Sequence, residues 1–165
     1  MKILKEWGPF FIVILAIILI RTYVVTPVRV DGTSMYDTLD EGNILLLEKY
    51  DQTYERFEIV VFEFNGEKLI KRVIGLPGET VEYKNNSLYI NGQKIEDQYG
   101  YGITADFNIK DLNLTKIPDG YYFLVGDNRN NSLDSRYFGC IEKNKIIGSV
   151  RYVLFPFNKF GSIEK

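Results

Sequence analysis

From Trp7 to Ile20 the chain carries no charged residue, and Lys2 and Lys5 stand before that run. A stretch this apolar has to be covered by protein or by lipid. Alone it falls short of the roughly 20 residues that a bilayer-spanning helix needs. It continues past Arg21 as Thr22-Tyr23-Val24-Val25, and an arginine near a helix end can extend its head to the interface. Counted to Val25 the segment is long enough, with Trp7 and Tyr23 at the two interfaces, where amphipathic rings collect. A cleaved secretory leader shares the basic start and apolar stretch, but a small-x-small cleavage site follows it. Here Thr22-Tyr23-Val24-Val25-Thr26-Pro27 follows instead. The expectation is an uncleaved single-pass anchor over 7–25 in the cell membrane. By the positive-inside rule residues 1–6 lie in the cytoplasm and 26–165 form one domain on the outer face.

After Val24 the texture is that of strands. Val28 to Val30, Asn43 to Glu48, Phe57 to Phe64 and Lys68 to Ile74 are short runs rich in Val, Ile, Leu and Phe. Thr80 to Tyr83 and Ser87 to Ile90 flank Lys84-Asn85-Asn86 as a hairpin. Asn91-Gly92 then turns the chain into Gln93 to Ile95, the strongest two-residue hairpin signal. Tyr121 to Val125 and Gly148 to Phe155 complete the set. Helical spacing is confined to the anchor and the neighbourhood of Ser132 to Arg136. Residues 97–116 are polar and read as an exposed excursion. The fold class is mainly β: a small, twisted, antiparallel sheet or barrel-like domain behind one N-terminal transmembrane helix.

Composition removes several chemistries. The 165-residue chain has no histidine, which excludes Ser-His-Asp and Cys-His catalysis and removes the commonest metal ligand. Its single cysteine, Cys140, allows no internal disulfide and reads as a small buried hydrophobe. The formal net charge of -2, with cations and anions interspersed, gives no basic stripe for nucleic acid.

Without histidine, a serine nucleophile needs a carboxylate or a neutral amine as base. A lysine serves only if burial brings its pKa down from about 10.4 towards neutrality. Lys71 fits: side chains two apart on a strand share a face, so it lies between Leu69 and Val73. The plain alternative is an edge-strand lysine that discourages aggregation. Ser34, after Gly32, reads on its own as a turn serine.

Three blocks carry these residues in order: Asp31-Gly32-Thr33-Ser34-Met35-Tyr36-Asp37-Thr38-Leu39, Lys68 to Glu79, and Gly126-Asp127-Asn128-Arg129-Asn130-Asn131-Ser132-Leu133-Asp134-Ser135-Arg136. Together, behind an N-terminal anchor, they resemble bacterial type I signal peptidases in the compact form of Gram-positive bacteria. The resemblance implies a membrane-bound serine endopeptidase that removes signal peptides from exported preproteins, cutting after small residues. It implies that Ser34 attacks the scissile carbonyl, that Lys71 is the general base, and that the Ser34 N–H serves the oxyanion hole. It assigns to Ser132 a hydrogen bond that orients the lysine, and to Asp127, Arg129, Asp134 and Arg136 a supporting polar network with Arg72. The substrate would add as an extended strand. Val30, Met35, Leu69 and Ile70 would wall its shallow pockets, though each also reads as core. Tyr152, Phe155, Phe157 and Phe160 would touch the membrane surface or fill a final strand. Expected partners are signal peptides and the lipid bilayer, not nucleic acid or metal; hydroxyl and amine suffice, so no cofactor is implied.

One departure is Asp37, where the family carries proline; it is expected to cap the following turn. Two other readings stay open. A repressor-type Ser/Lys autoprotease would carry a DNA-binding domain where this chain has its apolar segment. A degenerate homologue would be a membrane-tethered binding module.

Overall fold

A computed structural model describes residues 2–50 and 53–163. Helix α1 (Lys2–Tyr23) leads into β1 (Val25–Arg29), β2 (Ile44–Glu48), β3 (Ile59–Phe64), β4 (Glu67–Gly75), β5 (Val81–Lys84), β6 (Ser87–Ile90), β7 (Gln93–Ile95) and β8 (Phe107–Asn108). Then come β9 (Tyr121–Val125), the one-turn α2 (Ser135–Phe138), β10 (Ile141–Glu142), β11 (Ile146–Phe155) and β12 (Gly161–Ser162). The helix begins before the expected segment and ends before it, because Val25 is already paired with Glu48. Lys49 Nζ donates to the carbonyls of Arg21 and Thr22, closing the last turn of α1 against β2. Among the described residues no helix is long and apolar enough to cross a membrane.

The strands form two antiparallel sheets. The larger runs β1-β2-β11-β3-β4-β9-β10, with β12 on β11, and the smaller runs β7-β6-β5-β8. Turn chemistry sets the hairpins. Asn65-Gly66, Asn85-Asn86 and Asn91-Gly92 all have positive φ at both positions, the twist that a tight two-residue hairpin requires. Asn65-Gly66 fixes Phe64 opposite Glu67, and from there the register carries Val60 opposite Lys71 and Ile59 opposite Arg72.

Three apolar clusters fill the domain. One joins Val30, Met35, Leu39 and Ile70 to β2 and β11. A second joins the small sheet to Phe123 and Val125 of β9. The third covers the other face of β3 and β4, with Leu69 and Phe138 at its margin. The stretch 97–116 is only partly an excursion. Phe107 lies in β8 and, with Ile109, is buried in the second cluster. The signal was a capping box in which Asn108 accepts from Lys110 N and Asp111 accepts from Asn108 N. Cys140 packs half-buried beside the same cluster; burial pushes its thiol up to about 11, so it stays protonated and unreactive near neutrality.

Candidate active site

Ser34 sits on the turn that leaves β1. Met35 and Leu39 on either side of that turn are buried at 1% and 0% exposure, which pins the turn to the core and leaves Ser34 half-buried at the surface. Lys71 approaches from β4, itself only 3% exposed. Its Nζ lies 2.7 Å from Ser34 Oγ and 3.1 Å from the carbonyl oxygen of Ile70. Burial lowers the amine from its ordinary value of 10.5 to about 8, against the opposing pull of Asp134 and Asp127. An amine with that value is partly neutral near pH 7 to 8. At this distance its lone pair is placed to take the hydroxyl proton.

Around the pair stands a buried ionic frame. Arg72 donates to Asp127 through Nε at 2.8 Å and Nη2 at 2.6 Å, with Thr38 Oγ1 donating to the same carboxylate at 2.6 Å. Arg72 also donates to the Phe57 carbonyl, and its guanidinium lies 3.8 Å from the centre of the Tyr99 ring. Asp134 caps α2 and accepts from Gly126 N and from Arg136 Nε and Nη2. Arg129 donates to the Gly126 carbonyl, to Asp97 and to the Tyr83 hydroxyl, which fastens the small sheet to the third block. Adjacent residues of one strand thus have separate work: Lys71 faces the serine, and Arg72 on the opposite face is locked in the frame.

Two expected contacts are absent. Ser132 makes no hydrogen bond to Lys71; its Oγ is buried and has no partner among the described residues. The lysine head is taken up by Ser34 and by its own strand. Ser132 Oγ rests instead beside Gly126, where an added Cβ would come within 2.3 Å of it and 2.5 Å of the Ser34 carbonyl oxygen. Asp37 is exposed and caps nothing among the described residues; the neighbouring Thr38 holds the turn through Asp127.

Residues that the sequence reading missed are Thr38, Tyr99, Gly126, Asn128 and Asn131. Asn128 N donates to the Ser34 carbonyl at 3.0 Å and its side chain to the Thr33 carbonyl at 3.1 Å, while Asn131 Nδ2 reaches Thr33 Oγ1 at 2.9 Å. The third block therefore grips the nucleophile turn directly. Both asparagines were visible inside that block, but their partners lie far away in sequence.

Two clefts meet at Ser34, Leu69 and Lys71. The first lies between β1 and the start of β4, walled by Val28, Val30, Met35 and Ile70. Val30, Met35 and Ile70 are at once core residues and its floor. The second opens on the other side, between Thr33, the β3–β4 turn and Leu133.

An antiparallel β domain that brings a half-buried serine to a buried lysine, in a chain without histidine, has the parts that a serine hydrolase of the Ser/Lys class needs. Comparison with known proteins makes that class specific. Residues 4–155 match the model of the signal peptidase family, peptidase S26. Signal peptidase I of Bacillus caldolyticus is 38% identical over 170 residues, covering 94% of this chain and 93% of that protein. Signal peptidase I V of Bacillus subtilis strain 168 is 46% identical over 136 residues, covering 74% of this chain and 81% of that one. The crystal structure of a signal peptidase I from Enterococcus faecalis V583 superposes with a TM-score of 0.56 at 38% identity, over 59% of this chain and 97% of that one. The chain belongs to the signal peptidase family and is a serine endopeptidase.

Proposed function

We propose that the chain removes signal peptides from exported preproteins with Ser34 as nucleophile and Lys71 as general base. The observation that carries this is the 2.7 Å approach of a buried Nζ, lowered to about 8, to Ser34 Oγ. Neutral Lys71 takes the Ser34 proton as Oγ bonds to the scissile carbonyl carbon. The same proton passes to the departing amine as the peptide C–N bond breaks. Lys71 then takes a proton from water, whose oxygen attacks the acyl-enzyme, and Ser34 is regenerated. The Ser34 N–H faces the developing oxyanion. Asp127, Arg72, Arg129, Asp134 and Arg136 position the pair, and Ser132 backs the nucleophile turn.

The residues before the scissile bond lie in the first cleft. β1 is the edge of the large sheet, and β4 has no partner on its second side until Arg72 pairs with Val125. An extended peptide can fill that gap and end at Ser34. Val30, Met35, Leu69 and Ile70 line that cleft, and this reading assigns them the shallow pockets that take small side chains.

The test is cleavage of a peptide with small residues at the first and third positions before the bond, followed across pH. The protonated lysine is inactive, so kcat/KM rises with pH through about 8 and levels above it. Two units below that value about 1% of the amine is neutral, giving a fall of about 100-fold. Equal rates at pH 6 and pH 9 would remove Lys71 from the base role.

We further propose that α1 holds the enzyme at the membrane with the β domain on the outer face. Supporting this, Phe10, Phe11, Ile12, Leu15, Ile17 and Ile18 are all more than half exposed, an apolar surface left uncovered among the described residues. Phe157 and Phe160 are also exposed, at 81% and 66%, beside the half-exposed Tyr152 and Phe155. The full chain is expected to float with lipid vesicles, and a version starting at Val25 to float less. Equal recovery in the lipid-free fraction contradicts the assignment.

A further inference from the structure

The second cleft has no role in the reading above. It shares Asp31, Ser34, Leu69 and Lys71 with the first, so the two form one continuous groove that bends at the nucleophile. A peptide lying along the free edge of β4 cannot run straight on past Lys71. From Arg72 that edge is occupied by β9, and Asn128 closes on the Ser34 carbonyl. The chain beyond the scissile bond must turn outward. The lip on that side is firmly built: Asn131 and Asn128 tie it to Thr33, and Leu133 stands 64% exposed between the buried Ser132 and Asp134.

The charge of this cleft is one-sided. Among the described residues, Asp31 and Glu67 are its acidic lining residues, both exposed, and Lys71 at its inner end is its one cation. Lys71 is neutral when it acts as the base, so the occupant meets net negative charge. Asn65-Gly66 at the turn places Glu67 on the rim, on the same face of β4 as Leu69 and Lys71.

We propose that this cleft binds the first residues after the scissile bond, and that Glu67 makes it favour basic over acidic side chains there. The assignment rests on the Ser34–Lys71 reading. Leu133 and Phe64 supply apolar contact for the backbone of the departing chain, and Glu67 with Asp31 supplies the discrimination.

The experiment uses the full chain and two peptides identical up to the bond, with Lys or Glu at the second position beyond it. The readout is the ratio of kcat/KM for the two peptides within one enzyme preparation, so a general loss of activity or of folded protein cancels. Wild type is expected to favour the Lys peptide about threefold, the scale of a solvent-exposed charge contact. Raised ionic strength should shrink that preference. Glu67→Lys should bring the ratio to about one or invert it. A wild-type ratio near one, or a ratio unchanged by Glu67→Lys, overturns the proposal. A wild type that cleaves neither peptide sinks the Ser34–Lys71 reading, and this assignment with it.

Discussion

Lys71→Met is expected to abolish cleavage and, at neutral pH, to make the protein more stable. The activity loss follows from removing the one amine that bonds to Ser34 among the described residues, and general bases are worth about 10³-fold in rate. The stability gain follows from the depressed pKa. The folded amine titrates at about 8 and the unfolded one near 10.5. Below pH 8 both states are protonated, and the fold bears the full cost of holding a buried ammonium. Between those values the unfolded chain binds the extra proton, so wild-type stability rises with pH. The interval corresponds to about 3 kcal/mol, from which the lost hydrogen bonds to Ser34 and Ile70 subtract. Methionine fills a similar volume without the charge. Thermal unfolding should therefore show Lys71→Met above wild type at pH 7, with the gap closing as pH approaches 10.5. A variant less stable than wild type at pH 7 would contradict the account of how the pKa is lowered.

Asp127→Ala is expected to have the largest effect on folding. Arg72 and Asp127 are 1% and 0% exposed, and the carboxylate takes two guanidinium bonds and one from Thr38. Removing it leaves a buried cation without its counter-charge, at a cost of about 3–5 kcal/mol. In a domain of this size that lowers Tm by about 10 °C. The double change Arg72→Met, Asp127→Leu should recover much of the loss, because the uncompensated charge is gone. Asp127 also raises the Lys71 pKa, so whatever activity survives in Asp127→Ala should reach its plateau at lower pH. Melting within 1 kcal/mol of wild type would show that the ion pair is not part of the fold's support.

How much of this was legible in the sequence depended on distance along the chain. Asn91-Gly92, the strand around Lys71 and the helical turn near Arg136 are local, and turn chemistry or alternation marks them. The Arg72–Asp127 pair was reachable through the resemblance of the second and third blocks to the signal peptidase family. Thr38 was not, since its bond to Asp127 spans 89 residues and a turn threonine has many local uses. Tyr99 lay in a stretch read as exposed, yet its ring covers the Arg72 guanidinium. Ser132 was placed by resemblance against Lys71. The structure leaves its Oγ beside Gly126 without a hydrogen-bond partner among the described residues, while Lys71 bonds to Ser34 and to the Ile70 carbonyl. Asp37 misled by being next to the residue that mattered. The helix ended early because β1 claims Val25 for pairing.

The hairpin at Asn65-Gly66 has a further meaning. It sets which of two neighbouring cations meets the serine, since Val60 faces Lys71 and Ile59 faces Arg72. A slip of one residue would turn every side chain of β4 to the other face. A slip in one direction would put Arg72 beside Ser34, a guanidinium that keeps its proton at any physiological pH, and Val73 beside Asp127; a slip in the other would put Ile70 beside Ser34. Losing a single residue between the turn and Lys71 exchanges a working base for an inert cation, and gaining one puts an isoleucine in its place. For this arm, residue count matters more to the chemistry than residue identity.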